Sequence, residues 1–272
     1  MRRAPATAKL NLALLVGPKG DDGRHEVCTV LQRIDLADRV ALEPSTKLRV
    51  SGFRQDTLVR EALTRLAERA GVEPRWSARI TKRIPVAAGL GGGSSDAATA
   101  LRLANETLDD PLPEGELREL AAGLGADVPF FLTAGPQLGE GDGTRLTAQR
   151  LPQDYWVLLV LPAGVHKRST ASVYGEFDRT GAAAGFEARR RDLLAALQQL
   201  RRPADLRLLP RNDLAASPLV SELEGLGAFR VDVTGAGPAV YGLFTRHEEA
   251  MSARRKLSDQ GRVWLTVPAW YG

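Results

Sequence analysis

Apolar and polar residues alternate along several stretches of the first third of the chain, and this period-two pattern predicts strands. Residues 9–16, KLNLALLV, place leucines on one face and polar or small residues on the other, as in a half-buried strand. The two faces are Leu10, Leu12 and Leu14 against Lys9, Asn11 and Ala13. Further strands, separated by turn residues, are predicted over 27–34, 41–53 and 76–84.

Apolar residues at helical spacing predict helices between and after these strands. One helix covers 57–70 and stops at Gly71, and another covers 114–124 and stops at Gly125. A third helix lies between them and begins near Ser94 or Ser95. The later part of the chain mixes both elements, with strands over 155–161, 229–233, 239–244 and 263–270 and helices over 186–200, 216–226 and 246–260.

This order of elements indicates an α+β fold. The length of 272 residues suits about two domains. A turn-rich stretch, AGPQLGEGDG at 134–143, predicts that the boundary falls shortly after it, near 145–155. We therefore expect an N-terminal domain over 1–150 and a C-terminal domain over 151–272.

The composition is that of an ordinary globular protein, with 43% apolar and 26% charged residues. No apolar run approaches the ~18–20 residues of a membrane span, and Lys9 and Asn11 interrupt the apolar stretch that follows the first two arginines, unlike in a signal peptide. The single cysteine, Cys28, cannot form an intrachain disulfide. We expect a cytoplasmic protein without a membrane partner and, with only three histidines, without a zinc site.

The formal net charge of +4 leaves two classes of partner open. A positive excess is compatible with nucleic acid and with small phosphorylated molecules. The basic residues are spread along the chain among acidic ones, and the densest cluster, ARRRD at 188–192, opens a helical stretch as a solvated face. An RNA-binding surface would combine clustered cations with aromatics, and aromatic residues make up only 6% of the chain. We expect no nucleic-acid partner.

The stretch PVAAGLGGGSSDAA at 85–98 carries the strongest chemical signal. A strand followed by a glycine-rich loop and a helix is an arrangement that binds phosphate, because the first N–H groups of the helix lack partners and carry partial positive charge. Glycines let the main chain curl around an anion, and Ser94 and Ser95 offer hydroxyls to the helix, to phosphate or to Mg²⁺. The alternative is a turn that only allows close packing of strand and helix. The P-loop and dinucleotide fingerprints are both absent.

Three motifs together resemble those of the GHMP family of small-molecule kinases. The central one is Pro85 to Ala98, the first is ATAKLNL at 6–12, and the last is the glycine turn in VTGAGPAVYGLF at 233–244. The resemblance covers essentially the whole chain. It implies a two-domain kinase that uses ATP and Mg²⁺, with a first half like the second domain of ribosomal protein S5 and a ferredoxin-like second half.

The resemblance also implies which residues form the active site. Lys9 and Asp127 would be the catalytic pair, with Asp127 as the base for the attacking hydroxyl and Lys9 as its partner. Without the resemblance, the favoured reading of Lys9 is a surface lysine and that of Asp127 a helix-end or turn aspartate. The ATP-binding residues would be Pro85, Val86, Ala87, Ala88, Gly89, Leu90, Gly91, Gly92, Gly93, Ser94, Ser95, Gly235 and Gly237, with Ser95 also a Mg²⁺ ligand.

The motifs DDGRHEV (21–27), LGADVPFFL (124–132) and RND (211–213) are most similar to the branch of the family that phosphorylates a cytidine-diphosphate sugar alcohol. That small molecule is the expected partner of a monomer or homodimer, and another small alcohol, mevalonate-, homoserine- or sugar-like, is the alternative. The resemblance implies substrate-binding roles for Asn11, Arg24, His25, Thr170 and Tyr174. Asn11 would bind the polyol, His25 would read the cytosine edge, and Tyr174 would stack on the base.

Three positions depart from the family pattern. Arg24 stands where a tyrosine usually stacks on cytosine, and a guanidinium can also stack on a base. Thr7 replaces a proline, which concerns the backbone. Thr57 replaces an asparagine that usually contacts adenine, so the adenine contacts are the less secure part of the predicted ATP site.

Overall fold

The computed structural model describes residues 1–21, 23–53, 58–165 and 169–269. The first half of the chain forms a six-stranded sheet in the order β3-β4-β2-β5-β6, with β1 paired to β2. Its strands are β1 (Arg2–Lys19), β2 (His25–Pro44), β3 (Arg49–Ser51), β4 (Trp76–Thr81), β5 (Gln137–Gly141) and β6 (Arg145–Ala148). The second half forms a four-stranded antiparallel sheet in the order β10-β7-β9-β8. Its strands are β7 (Trp156–Pro162), β8 (Arg230–Val233), β9 (Val240–Phe244) and β10 (Gly261–Thr266).

Seven helices pack on these sheets in the described part of the chain. They are α1 (Leu58–Ala70), α2 (Gly92–Asn105), α3 (Glu114–Leu124), α4 (Thr170–Thr180), α5 (Phe186–Gln199), α6 (Leu219–Gly225) and α7 (His247–Lys256). Short 3-10 turns cover Pro129–Leu132, Ala182–Gly185 and Pro203–Leu208. The predicted α+β class and the ends of α1 and α3 at Gly71 and Gly125 are confirmed.

The strand β1 departs from its predicted face pattern. Its pairing with β2 shifts between Asn11 and Ala13, so Leu12 is bulged and the alternation inverts after it. Leu10 and Leu12 therefore belong to one core cluster, whereas Leu14 lies in another cluster on the side of Lys9 and Asn11. The prediction of a half-buried strand with Leu14 beside Leu10 was wrong, since both faces are buried from Ala6 to Gly17.

Three strand boundaries also differ from prediction. Residues 25–44 form one continuous strand, because β2 pairs in succession with β5 and β4 along its length. β4 ends at Thr81 rather than at residue 84, since the N–H groups of Arg83 and Ile84 donate to the Asp38 carboxylate. The turn-rich stretch 134–143 contains strand β5, which forms a hairpin with β6 just after it.

The second half of the chain docks onto the bulge of β1. The buried Arg230 side chain donates to the Leu12 carbonyl, and the Tyr241 hydroxyl donates to the Asn11 carbonyl at 3.2 Å. The main-chain N–H of Asp213 donates to the Leu14 carbonyl at 2.9 Å. The irregular part of β1 is therefore held by the second half of the chain as well as by its pairing with β2.

The division of the chain into 1–150 and 151–272 stays a prediction, although the two sheets lie on either side of it. Among the residues that the structure describes, no helix combines the length and the apolar character needed to cross a bilayer.

Candidate active site

The glycine loop leads directly into helix α2. The helix begins at Gly92, and the residue that caps it is Gly91, whose φ is 68° and which makes no side-chain cap. The prediction that the helix starts near Ser94 or Ser95 was therefore two or three residues late, and neither serine is the cap. The N–H groups of Gly92, Gly93 and Ser94 precede the first helical hydrogen bond, which Ser95 donates to Gly91 at 2.9 Å. This end of α2 opens into the cleft.

Two glycines of the loop have positive φ and stand close to neighbouring elements. Gly89 has φ of +83°, and a Cβ atom there would lie 2.2 Å from the carbonyl oxygen of Thr234. A Cβ atom at the position of Gly91 would lie 3.0 Å from the Lys9 side chain. The Lys9 N–H also donates to the Leu90 carbonyl at 3.0 Å. The loop thus touches β1 on one side and the C-terminal glycine turn on the other.

Lys9 and Asp127 meet at the centre of the cleft. The Lys9 side chain is only 4% exposed, and its Nζ lies 3.4 Å from Oδ2 of Asp127, whose side chain is 38% exposed. Asp127 sits in the turn that follows α3, closed by a hydrogen bond from the Val128 N–H to the Gly125 carbonyl at 3.0 Å. An ammonium beside a partly exposed carboxylate can orient that carboxylate toward a ligand.

Asn11 contacts the Lys9 member of this pair. Its Oδ1 accepts from Lys9 Nζ at 2.6 Å, and its Nδ2 donates to Thr29 Oγ1 at 2.8 Å. Its main-chain N–H donates to Thr234 Oγ1 at 3.1 Å. Asn11 is the residue predicted to bind the substrate's polyol, and its amide oxygen already accepts from Lys9.

His25 lies at the opposite end of the cleft. Its Nδ1 donates to the Gly17 carbonyl at 2.8 Å, and its Nε2 lies 3.0 Å from Asp178 Oδ1 without the alignment of a hydrogen bond. The ring stacks on Tyr174 with centroids 5.0 Å apart. Burial raises the pKa of Tyr174 to about 12, and the charge of Asp127 acts in the same direction. The tyrosine is therefore neutral at physiological pH.

Arg24 and Thr170 lie around this end of the cleft. The Arg24 side chain is 70% exposed, and its Nη1 lies 3.5 Å from Asp142 Oδ2 on the β5–β6 hairpin. Burial opposes ionisation of Asp142, but hydrogen bonds from Thr144 and the charge of Arg24 outweigh it and lower the pKa of that carboxyl. Thr170 is the first residue of α4 and lines the cleft. Thr57 lies outside the described residues.

One cleft of about 870 Å³ joins all these groups. Every residue predicted to bind ATP or substrate lines it except Ser95, which is 1% exposed and buried beneath α2. Ser94, not Ser95, presents its side of the helix to the cleft. In the described part of the chain, no group of three or more His, Cys, Asp or Glu side chains forms a metal site. The residues present therefore do not fit the predicted Mg²⁺ site at Ser95.

Lys82 is a charged residue of the cleft for which no sequence motif predicts a role. Its Nζ donates to Asp96 Oδ2 at 2.7 Å and also to Asp38, and both carboxylates are fully buried. Burial opposes the charge on Lys82, but the two aspartates outweigh it and raise the pKa of its ammonium. The pairing joins the end of β4 to α2 beside the glycine loop. Its sequence signal was weak, since Asp38 and Asp96 lie 44 and 14 residues from Lys82.

The geometry agrees with what comparison to known proteins finds. The model of the GHMP kinases N terminal domain matches residues 57–135, and that of the GHMP kinases C terminal domain matches residues 182–263. A 4-diphosphocytidyl-2-C-methyl-D-erythritol kinase of Geobacter sulfurreducens is 36% identical over 96% of this chain and 96% of its own. The chain belongs to the GHMP kinase family.

Other relatives of this GHMP kinase agree in name and in fold. A 4-diphosphocytidyl-2-C-methyl-D-erythritol kinase of Bacillus pumilus is 38% identical over 88% of this chain and 86% of its own. A crystal structure of 4-(cytidine 5'-diphospho)-2C-methyl-D-erythritol kinase superposes with a TM-score of 0.78 at 31% identity, covering 98% of this chain and 99% of its own. A mevalonate kinase of Methanococcus jannaschii shares the fold alone, with a TM-score of 0.77, 13% identity and 98% coverage of both chains. The predicted two-domain GHMP kinase fold is confirmed.

Proposed function

We propose that this GHMP kinase transfers the γ-phosphate of ATP to the 2-hydroxyl of 4-diphosphocytidyl-2-C-methyl-D-erythritol, a step of the non-mevalonate isoprenoid precursor pathway. The observation that carries the proposal is the position of Lys9 and Asp127. They lie in one cleft with the glycine loop at one end and the buried His25 and the half-buried Tyr174 at the other. The relatives at 36–38% identity carry the name of this enzyme.

In the proposed reaction the start of α2 and the glycine loop bind the triphosphate. Their main-chain N–H groups and the helix dipole favour the negative charge of the phosphates. Asp127 accepts the proton of the attacking hydroxyl as its oxygen bonds to the γ-phosphorus and the bond from that phosphorus to ADP breaks. Lys9 orients the Asp127 carboxylate and offsets charge on the moving phosphoryl group. Magnesium would arrive with the nucleotide, and no step assigned to this chain requires Ser95 to bind it.

In this proposal, His25 and Tyr174 bind the cytidine group of the substrate. The Gly17 carbonyl can only accept, so His25 Nδ1 carries a proton, and Nε2 is the remaining ring nitrogen, buried 3.0 Å from Asp178 Oδ1. A cytosine edge offers hydrogen-bonding groups in the plane of such a ring, and Tyr174 provides an aromatic face beside it. Thr170 contributes to the same wall.

Replacing His25 by Ala should raise KM for the cytidyl substrate at least about tenfold while KM for ATP changes less than twofold, since the ring lies at the base end of the cleft only. Steady-state kinetics with each substrate varied in turn measures both constants. His247→Ala, on the surface helix α7, is the matched control. An unchanged KM for the cytidyl substrate would remove His25 from base recognition.

Arg24 motivates a second candidate, a GHMP kinase for another small alcohol. The guanidinium stands where the family has a stacking tyrosine, is 70% exposed and lies 3.5 Å from Asp142. We expect purified protein with ATP and Mg²⁺ to release ADP with the cytidyl alcohol and not with mevalonate or homoserine. A coupled assay of ADP release measures this. Rapid release with mevalonate or homoserine and none with the cytidyl alcohol would favour the second candidate.

A cytoplasmic location is part of the same proposal. It is supported by the single buried cysteine, Cys28, and by the need for a supply of ATP. Whether the protein acts as a monomer or as a homodimer stays a prediction.

A further inference from the structure

A chain of side-chain hydrogen bonds runs from β2 to the catalytic centre. Thr29 Oγ1 donates to the Ala13 carbonyl at 2.7 Å and accepts from Asn11 Nδ2 at 2.8 Å. Asn11 Oδ1 accepts from Lys9 Nζ at 2.6 Å, and Lys9 Nζ lies 3.4 Å from Asp127 Oδ2. Thr29 and Asn11 are both at most 4% exposed. Thr29 lies outside the sequence motifs that predict the site.

The direction of this chain follows from what each atom can donate or accept. A carbonyl oxygen only accepts, so the Thr29 hydroxyl must donate its single proton to the Ala13 carbonyl. The hydroxyl oxygen can then only accept from Asn11, which requires the amide nitrogen of Asn11 to point toward Thr29. The amide oxygen is thereby turned toward Lys9, whose ammonium only donates. The reverse orientation of the amide would set two donors against each other.

The bulge of β1 explains why this arrangement is possible. Because Leu12 is extruded, the strand turns over between Asn11 and Ala13, and the Ala13 carbonyl comes within reach of the Thr29 side chain. The Asn11 N–H donates to Thr234 Oγ1 at 3.1 Å, so the main chain is fixed from the opposite side. The Asn11 side chain therefore has one low-energy orientation.

We propose that Thr29 is a positioning residue for phosphoryl transfer, which fixes the orientation of the Asn11 amide so that its oxygen holds the Lys9 ammonium against Asp127. The inference deepens the proposed function and rests on it. Thr29 acts through Asn11 and touches neither Lys9 nor Asp127. Because the Lys9 side chain is almost fully buried, loss of the acceptor would leave its ammonium without a compensating partner other than Asp127.

The test compares two substitutions of Thr29. Thr29→Val keeps the shape and removes the hydroxyl, so the Asn11 amide loses the acceptor that fixes its nitrogen and its oxygen is no longer held firmly in place against Lys9. We expect kcat to fall about tenfold or more while KM for ATP and for the cytidyl substrate changes less than twofold. Thr29→Ser keeps the hydroxyl and should restore kcat to within about threefold of the native value. Thr266→Val is the matched control, since Thr266 is a buried strand threonine whose hydroxyl has no hydrogen-bond partner.

A double substitution separates positioning from a structural role. In Asn11→Asp both side-chain oxygens accept, so Lys9 is held whichever way the carboxylate turns. Thr29→Val added to Asn11→Asp should then lower kcat less than about threefold, whereas a structural defect would lower it equally in both backgrounds. Thr29→Ala, measured in the same way, replaces Thr29→Val if the latter does not fold.

Native kcat in Thr29→Val, or an equal loss in Thr29→Ser, would overturn the inference. So would an equal loss from Thr29→Val in the native and Asn11→Asp backgrounds. Failure of the proposed function is distinguishable, because the native protein itself would then release no ADP with the cytidyl alcohol.

Discussion

Asp127→Asn is expected to lower kcat at least about 100-fold while leaving ATP affinity within about twofold of the native value. The amide has nearly the same shape as the carboxylate but cannot accept a proton from the attacking hydroxyl. Asp127 lies in a turn after α3 and its side chain is 38% exposed, so the change perturbs little of the core. Single-turnover phosphoryl transfer and nucleotide binding, measured separately, give the two quantities.

The loss should be specific to this carboxylate and its partner. Lys9→Met keeps the buried stem of the side chain and removes the ammonium beside Asp127, and we expect a comparable fall in kcat. Asp154→Asn is the matched control, because Asp154 is an exposed aspartate that does not line the cleft. Turnover of Asp127→Asn within a few-fold of the native rate would show that Asp127 only positions the hydroxyl or plays no part.

The location of the glycine loop could be predicted from sequence because its signal is local. A strand, then glycines, then an apolar helix needs no knowledge of distant residues, and Gly89 and Gly91 do adopt the positive φ values that favour glycine. The resemblance placed Lys9 and Asp127 together although they lie 118 positions apart, and the structure brings their charged atoms to 3.4 Å. Periodicity alone would not have joined them.

The errors at Leu14 and at the end of β4 have a common physical cause, which is pairing with distant residues. The bulge at Leu12 depends on how β1 pairs with β2, so a strict alternation placed Leu14 on the wrong face. β4 ends early because Asp38, from another strand, takes the N–H groups that would continue it. Ser95 was chosen as a ligand by residue type, but the earlier start of α2 turns its side chain into the core.

Thr29 and Lys82 could not be identified from sequence for the same reason, dependence on distant residues. Neither belongs to a motif with a known spacing, and each acquires its partners only when β2, β4 and α2 are assembled. A threonine in a strand is ordinarily read as a residue with high strand propensity. Its hydroxyl becomes informative only after the directions of its hydrogen bonds have been assigned.

Gly89→Ala is expected to abolish most of the activity and to destabilise the protein. Gly89 has φ of +83°, which costs a residue with a side chain about 1–2 kcal/mol, and its new Cβ atom would lie 2.2 Å from the Thr234 carbonyl oxygen. Thr234 cannot yield easily, because its hydroxyl and main chain are bonded to Asn11, Ala239 and Gly237. The glycine loop must therefore move away from the C-terminal glycine turn.

That displacement would separate two walls of the nucleotide end of the cleft. We expect KM for ATP to rise at least about tenfold, kcat to fall with it, and Tm to drop by about 5 °C or more. Gly115→Ala in α3 is the matched control, since Gly115 has an ordinary helical conformation, lies outside the cleft and has open space around its Cα atom. There alanine should leave the kinetics unchanged and raise the stability slightly, by about 0.5–1 kcal/mol. Native kinetics and Tm in Gly89→Ala would mean that the loop does not rely on contact with Thr234, and the phosphate-binding role of the loop would lose its structural basis.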